Sequence, residues 1–69
     1  MNRLEAEMLY ASGRLGSGAI VIAFGFTRKI DIVYRDINDE LIMKYLDDNN
    51  NMLYINVRHI TKVLRYSDE

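Results

Sequence analysis

Two periods divide the chain. Before Gly13, apolar residues recur every three to four positions, with Leu4, Met8 and Ala11 on one helical face and Leu15 continuing it. Asn2 followed by Glu5 has the spacing of a capping box, in which the asparagine oxygen accepts a free backbone donor of the first turn. The spacing therefore predicts a helix over residues 1–12, closed near Ser12 because Gly13 can adopt the left-handed backbone that ends helices. Residues 13–18 hold Gly13, Gly16 and Gly18 and predict a flexible link.

From Ala19 the period becomes two. Ile20, Ile22, Phe24 and Phe26 alternate with the small face Ala19, Val21, Ala23 and Gly25, the pattern of a strand buried on both sides. The small face invites the helix or a neighbouring strand to pack closely. Thr27, Arg28 and Lys29 are expected to make the following turn. Ile30, Ile32 and Tyr34 then alternate with Asp31, Val33 and Arg35 in a second strand. Polar breaks at 36–40 and 47–51 separate a third strand over 41–46 and a fourth over 52–57, whose Leu53, Ile55 and Val57 share a face. A fifth strand over 60–66 completes a β meander spanning 19–66, followed by a tail at 67–69. Residues 39–46 also satisfy helical spacing, with Asp39 as a cap, so a helix is the alternative there. The fold class is mainly β (α+β): a short N-terminal helix before a bent five-stranded antiparallel meander or small barrel.

Length limits this architecture. A single 69-residue domain buries a small core and needs reinforcement. There is no cysteine, and one histidine cannot build a zinc cage, so disulfides and thiolate metal sites are excluded and self-association is the expected support. Apolar residues make up 49% and charged residues 28%, which places the chain among folded domains rather than disordered ones. The longest apolar run, Ala19 to Phe24, is much shorter than the ~20 residues of a membrane helix. No signal-peptide pattern is present, and a cytoplasmic location is expected.

Catalytic chemistry finds little purchase. Ser12, Ser17 and Ser67 sit where hydroxyls cap or solvate the backbone, and only His59 could serve them as a base. The carboxylate pairs Asp39 with Glu40 and Asp47 with Asp48 fall in turns, away from an apolar pocket that would separate their pKa values. The glycine-rich run follows a helix rather than a strand, the reverse of a phosphate-binding loop. Calcium is discounted because Leu41 replaces the central glycine of a calcium loop. No enzyme activity, cofactor or metal is expected.

Charge is the more informative signal. The net charge of −1 offers no general attraction to phosphate, so a nucleic-acid site requires local segregation. Acids crowd residues 36–48, while Arg58, His59, Lys62 and Arg65 make the C-terminal segment basic. Five tyrosines favour half-buried strands and interfaces, and beside cations they can also stack bases.

Gly25, Asp36 eleven positions on, the apolar run Leu41 to Met43, and Val57-Arg58-His59-Ile60 together resemble the motifs of the Sm and Hfq family. The resemblance covers Ile20 to Tyr66. Ile30 stands where that family has a bending glycine, and Asn38 where it has a base-stacking aromatic. The resemblance implies a small, strongly bent barrel that forms a ring and binds RNA. It also implies that Arg58 and His59 inherit the role of the lysine and histidine that contact uridine-rich RNA at the pore. The expectation is a homo-oligomer, joined edge to edge through its first-half and last strands, that binds RNA, single-stranded DNA or a nucleotide through Arg58, His59 and Lys62 with Arg28 and Lys29. The alternative is a small regulatory or inhibitory protein docking on a partner protein through its acidic turns or a strand edge.

Overall fold

The computed structural model describes residues 1–67; the rest of the predicted tail, 68 and 69, lies outside the described residues. One helix, α1 (Arg3–Ala11), precedes five strands: β1 (Ile20–Ala23), β2 (Phe26–Arg35), β3 (Leu41–Leu46), β4 (Met52–Asn56) and β5 (Ile60–Arg65). A 3₁₀ turn, Val57–His59, joins the last two. The strands form one antiparallel sheet in the order β4-β3-β2-β1-β5, open because β4 and β5 are not paired with each other. The chain is therefore mainly β, and the helical alternative at 39–46 is not adopted.

The sheet buries the small face of β1. Ala19, Val21 and Ala23 are fully enclosed, together with Ile30, Val33, Met43, Tyr45, Val57 and Ile60. Residues with little side-chain bulk let β2 and β5 flank β1 over a thin core. Met43 pairs with Ile55, and Tyr45 with Leu53, on the same inward face.

The first turn is not where alternation places it. Ala23 pairs directly with Phe26, so the chain reverses at Phe24 and Gly25, and Thr27, Arg28 and Lys29 belong to β2. Phe24 has φ 53° and Gly25 φ 78°, the positive values at both central positions that mark a type I′ two-residue hairpin. Asparagine or glycine usually fills the first of these positions, and phenylalanine hides the signal. The alternation predicted for β2 also slips. An irregularity between Ile30 and Ile32 leaves Ile30 and Val33 buried and Ile32 exposed. Such a bulge adds a residue to one strand and increases its bend.

The helix begins as its cap predicts, with the Glu5 amide donating to Asn2 Oδ1 at 2.8 Å. Its buried face differs from the periodic one: Ala6 is buried and Leu9 and Tyr10 pack on the core, while Leu4 and Met8 are exposed. An ion pair accompanies this rotation, and the Met1 ammonium, which donates to the Arg58 and Ile60 carbonyls, tethers the helix start. Arg35 of β2 donates from both terminal nitrogens to the Glu7 carboxylate, the longer bond being 2.8 Å, and lies 5.5 Å from the Tyr10 ring centre. The salt link holds the Glu7 carboxyl below its ordinary range and raises the Arg35 guanidinium further.

The glycine-rich connection is tied down rather than free. The amides of Arg14 and Leu15 donate to the Leu9 carbonyl, Gly18 donates to Ile30, and Ser67 donates to Arg14. Leu15 itself is 1% exposed, so the link contributes a core side chain.

The two remaining turns are copies of one another. Asp36 accepts from the amides of Asn38 and Glu40, and Asp47 accepts in the same way from Asn49 and Asn51. Each turn places its fourth residue, Asp39 or Asn50, at positive φ. Aspartate at the first position thus encodes the turn by replacing missing backbone partners. The two amide donors also hold the Asp47 carboxyl below its ordinary range, Asn51 contributing most.

Candidate nucleic-acid interface

The sheet register distributes the five predicted ligand residues over three surfaces. Val21 pairs with Arg28, which places Arg28 on the buried face, whereas Ile20 pairs with Lys29 on the opposite face. The Arg28 guanidinium carbon lies 5.0 Å from the Phe26 ring centre and 5.2 Å from that of Tyr45. Its Nε is buried without a hydrogen-bond acceptor. Lys62 pairs with Ile22, and Thr61 Oγ1 donates to the Ile22 carbonyl, fastening the start of β5 to β1. Arg28 and Lys29 therefore do not converge on one point, and neither joins Arg58.

Arg58 and His59 also diverge from each other. The 3₁₀ turn that carries them is capped by Asn56, whose Oδ1 accepts the Arg58 amide at 2.9 Å. His59 turns toward the β1–β2 hairpin and lies against Phe24, with ring centres 4.9 Å apart and planes tilted by 32°. Arg58 faces a cleft of about 230 Å³ between the first turn of α1 and the start of β3. Ala6, Leu41 and Val57 form the apolar part of this cleft, and Asn2, Arg3, Glu40 and Asn56 its polar part. Among the described residues neither Arg3 nor Arg58 forms an ion pair. Small-molecule pockets commonly enclose ~300–1,000 Å³, so this cleft suits one moiety of a longer ligand rather than a whole cofactor.

Asn2, Arg3 and Asn56 were not legible as site residues. Asn2 and Asn56 cap the helix and the 3₁₀ turn and Arg3 opens the helix, and only the docking of α1 across β3 and the 3₁₀ turn brings them beside Arg58. Phe24 and Phe26 were likewise assigned to a buried strand face, yet they are 58% and 62% exposed. A phenylalanine held at positive φ costs about 1–2 kcal/mol relative to the common backbone region.

Charge segregation along the chain carries into the fold in part: Glu7 and Glu40 line the cleft with Arg58, and Asp47 interacts with Arg28. Residues 19–30 and 56–67 carry Arg28, Lys29, Arg58, Lys62 and Arg65 and no aspartate or glutamate. These segments are β1, the first half of β2, the 3₁₀ turn and β5, which are adjacent in the sheet. Among the described residues the acids lie on α1, the β2 bulge and the two aspartate turns. No protein-family model, curated protein or solved structure matches this chain. Among the described residues no helix is long and apolar enough to cross a membrane.

Proposed function

We propose that the chain is a non-enzymatic, self-associating, Sm-like cytoplasmic module that binds RNA, single-stranded DNA or a nucleotide. The observation that carries this reading is that residues 19–30 and 56–67, brought side by side by the β2-β1-β5 pairing, hold Arg28, Lys29, Arg58, His59 and Lys62 and no aspartate or glutamate. Phosphate binding through such a surface is electrostatic and does not require a deep pocket. The strand order, the preceding helix and the bent second strand support the Sm-like part of the reading. Self-association is supported by two free sheet edges, β4 and β5, each able to pair with another chain. The edges expected from sequence were first-half and last strands, but β1 is interior, and β4 takes its place. Met52, Tyr54 and Leu64 on these edge strands are exposed.

Binding of a labelled single-stranded oligonucleotide, measured across a salt series, tests the reading. Affinity should fall as salt rises, and Arg58→Ala and Lys62→Ala should each flatten the log–log slope by about 0.7 for every lost single-strand phosphate contact. Affinity independent of salt and of both substitutions refutes it.

A second reading is favoured by one observation. Ile37 is 99% exposed at the tip of the Asp36 turn, whereas the sister turn carries Asp48 at the same place. The turn does not require isoleucine, so Ile37 and its acidic neighbours suit a basic-rimmed apolar socket on a partner protein. Recovery of one stoichiometric protein by the wild type but not by Ile37→Ser supports this reading. Recovery of nucleic acid alone opposes it.

A further inference from the structure

The β1–β2 hairpin tip departs from what its fold requires. A two-residue turn with both central residues at positive φ is best served by Asn-Gly, and Gly25 meets that demand while Phe24 does not. Nor does Phe24 repay its strained backbone by filling the core, since more than half of the residue is exposed. Backbone strain retained without a packing return points to a use in binding.

The neighbourhood identifies that use. Phe24 carries His59 against its ring, and Phe26 carries the Arg28 guanidinium at 5.0 Å. Each phenylalanine is thus braced by a basic side chain while most of its surface remains open. Both rings belong to residues 19–30, a segment with no aspartate or glutamate, while Lys62, paired to Ile22, lies on the opposite face of the sheet from Phe26. A π surface among cations matches a chain of planar rings joined by phosphates. An apolar protein partner would not need the cations, and a free phosphate would not need the rings.

We propose that Phe24 and Phe26 form a stacking ledge for the unpaired bases of a single-stranded nucleic acid, braced by His59 and Arg28. This inference rests on the nucleic-acid reading above and assigns base contact to the hairpin tip, with Arg58 left to contact phosphate.

Two strands of equal length distinguish these roles: an ordinary single-stranded oligonucleotide and an abasic strand with the same number of phosphates. The wild type should bind the base-bearing strand at least tenfold more tightly, the scale expected when one or two bases stack on aromatic rings. Phe24→Asn, which supplies the residue the turn prefers, should melt at a higher temperature than the wild type and lose most of that preference. Its affinity for the abasic strand should be unchanged. Phe26→Ser should also lose the preference, and Arg58→Ala should weaken both strands alike.

Equal binding of the two strands by the wild type overturns the ledge while leaving the phosphate reading intact. So does an undiminished base preference in Phe24→Asn. A lower melting temperature for Phe24→Asn overturns it too, because Phe24 would then serve the fold. Failure of both strands to bind the wild type removes the nucleic-acid reading and the ledge with it.

Discussion

Replacing Leu15 by alanine tests whether the glycine-rich connection is a hinge or part of the core. Leu15 is 1% exposed and belongs to the main apolar cluster, although glycines stand at 13, 16 and 18 around it. The substitution removes three carbons, worth ~2.4 kcal/mol at ~0.8 kcal/mol each. Any cavity that fails to collapse adds ~24 cal/mol per Å³, bringing the expected loss to about 2.5–4 kcal/mol. A domain of 69 residues has ~3–10 kcal/mol in total at ~0.05–0.15 kcal/mol per residue, so the variant should be close to unfolding. Urea denaturation followed by far-ultraviolet circular dichroism, at one fixed protein concentration because association contributes to stability, gives the difference directly. Met8→Ala is the matched control: Met8 is apolar and on the predicted helical face, but 64% exposed, and should lose no more than about 0.5 kcal/mol. A Leu15→Ala loss below about 1 kcal/mol, or equal to that of Met8→Ala, refutes the claim that the link is packed.

Acid should release the helix before the sheet. The folded pKa of Glu7 is depressed below its ordinary 4.5 by its bond to Arg35, so its contribution is fully present above that value and lost as pH falls through the lower folded one. Hydrogen exchange at residues 3–11 between pH 6 and pH 2.5 should show this loss, and Glu7→Gln should remove its pH dependence. The matching turns give a pair of opposite expectations: Asp36→Ala should cost about 1–2 kcal/mol because Asp36 Oδ1 accepts from two backbone amides, while Ile37→Ser should stay within about 0.5 kcal/mol. Both are read from urea midpoints. Self-association through free edges predicts that Tyr54→Lys on β4 lowers the subunit number found by native mass spectrometry without lowering strand content; an unchanged assembly refutes the use of that edge.

Local chemistry made much of this molecule readable. Asn2, Gly13, Asp36 and Asp47 act within four residues of themselves, through caps and turns whose partners are fixed by short spacing, so the helix start and two reversals follow directly. The strands over 41–46 and 52–57 were read from the polar breaks before each, although 39–46 also allowed a helix and Val57 belongs to the 3₁₀ turn rather than to β4. The β1–β2 reversal was not, since Phe24 opposes the preference of its own turn and continues the apolar alternation through it.

What the sequence by itself determined was the set of elements: one capped helix and five strands of a mainly β chain, with meander or barrel left open. Tertiary structure alone decided which faces those elements bury. Long-range contacts, among them the Arg35–Glu7 ion pair and the Met1 ammonium on the Arg58 and Ile60 carbonyls, hold α1 with Ala6 inward and Leu4 and Met8 exposed. One irregular position in β2 reverses the alternation of everything after it, because side chains in a strand change face with every residue. The candidate interface depends on those same long-range decisions: pairing of β1 with both β2 and β5 gathers the acid-free segments, and helix docking brings Arg3 and Asn2 beside Arg58. Short-range preference can specify a turn or a cap, but only the packed sheet can bring residues 24 and 59 into contact.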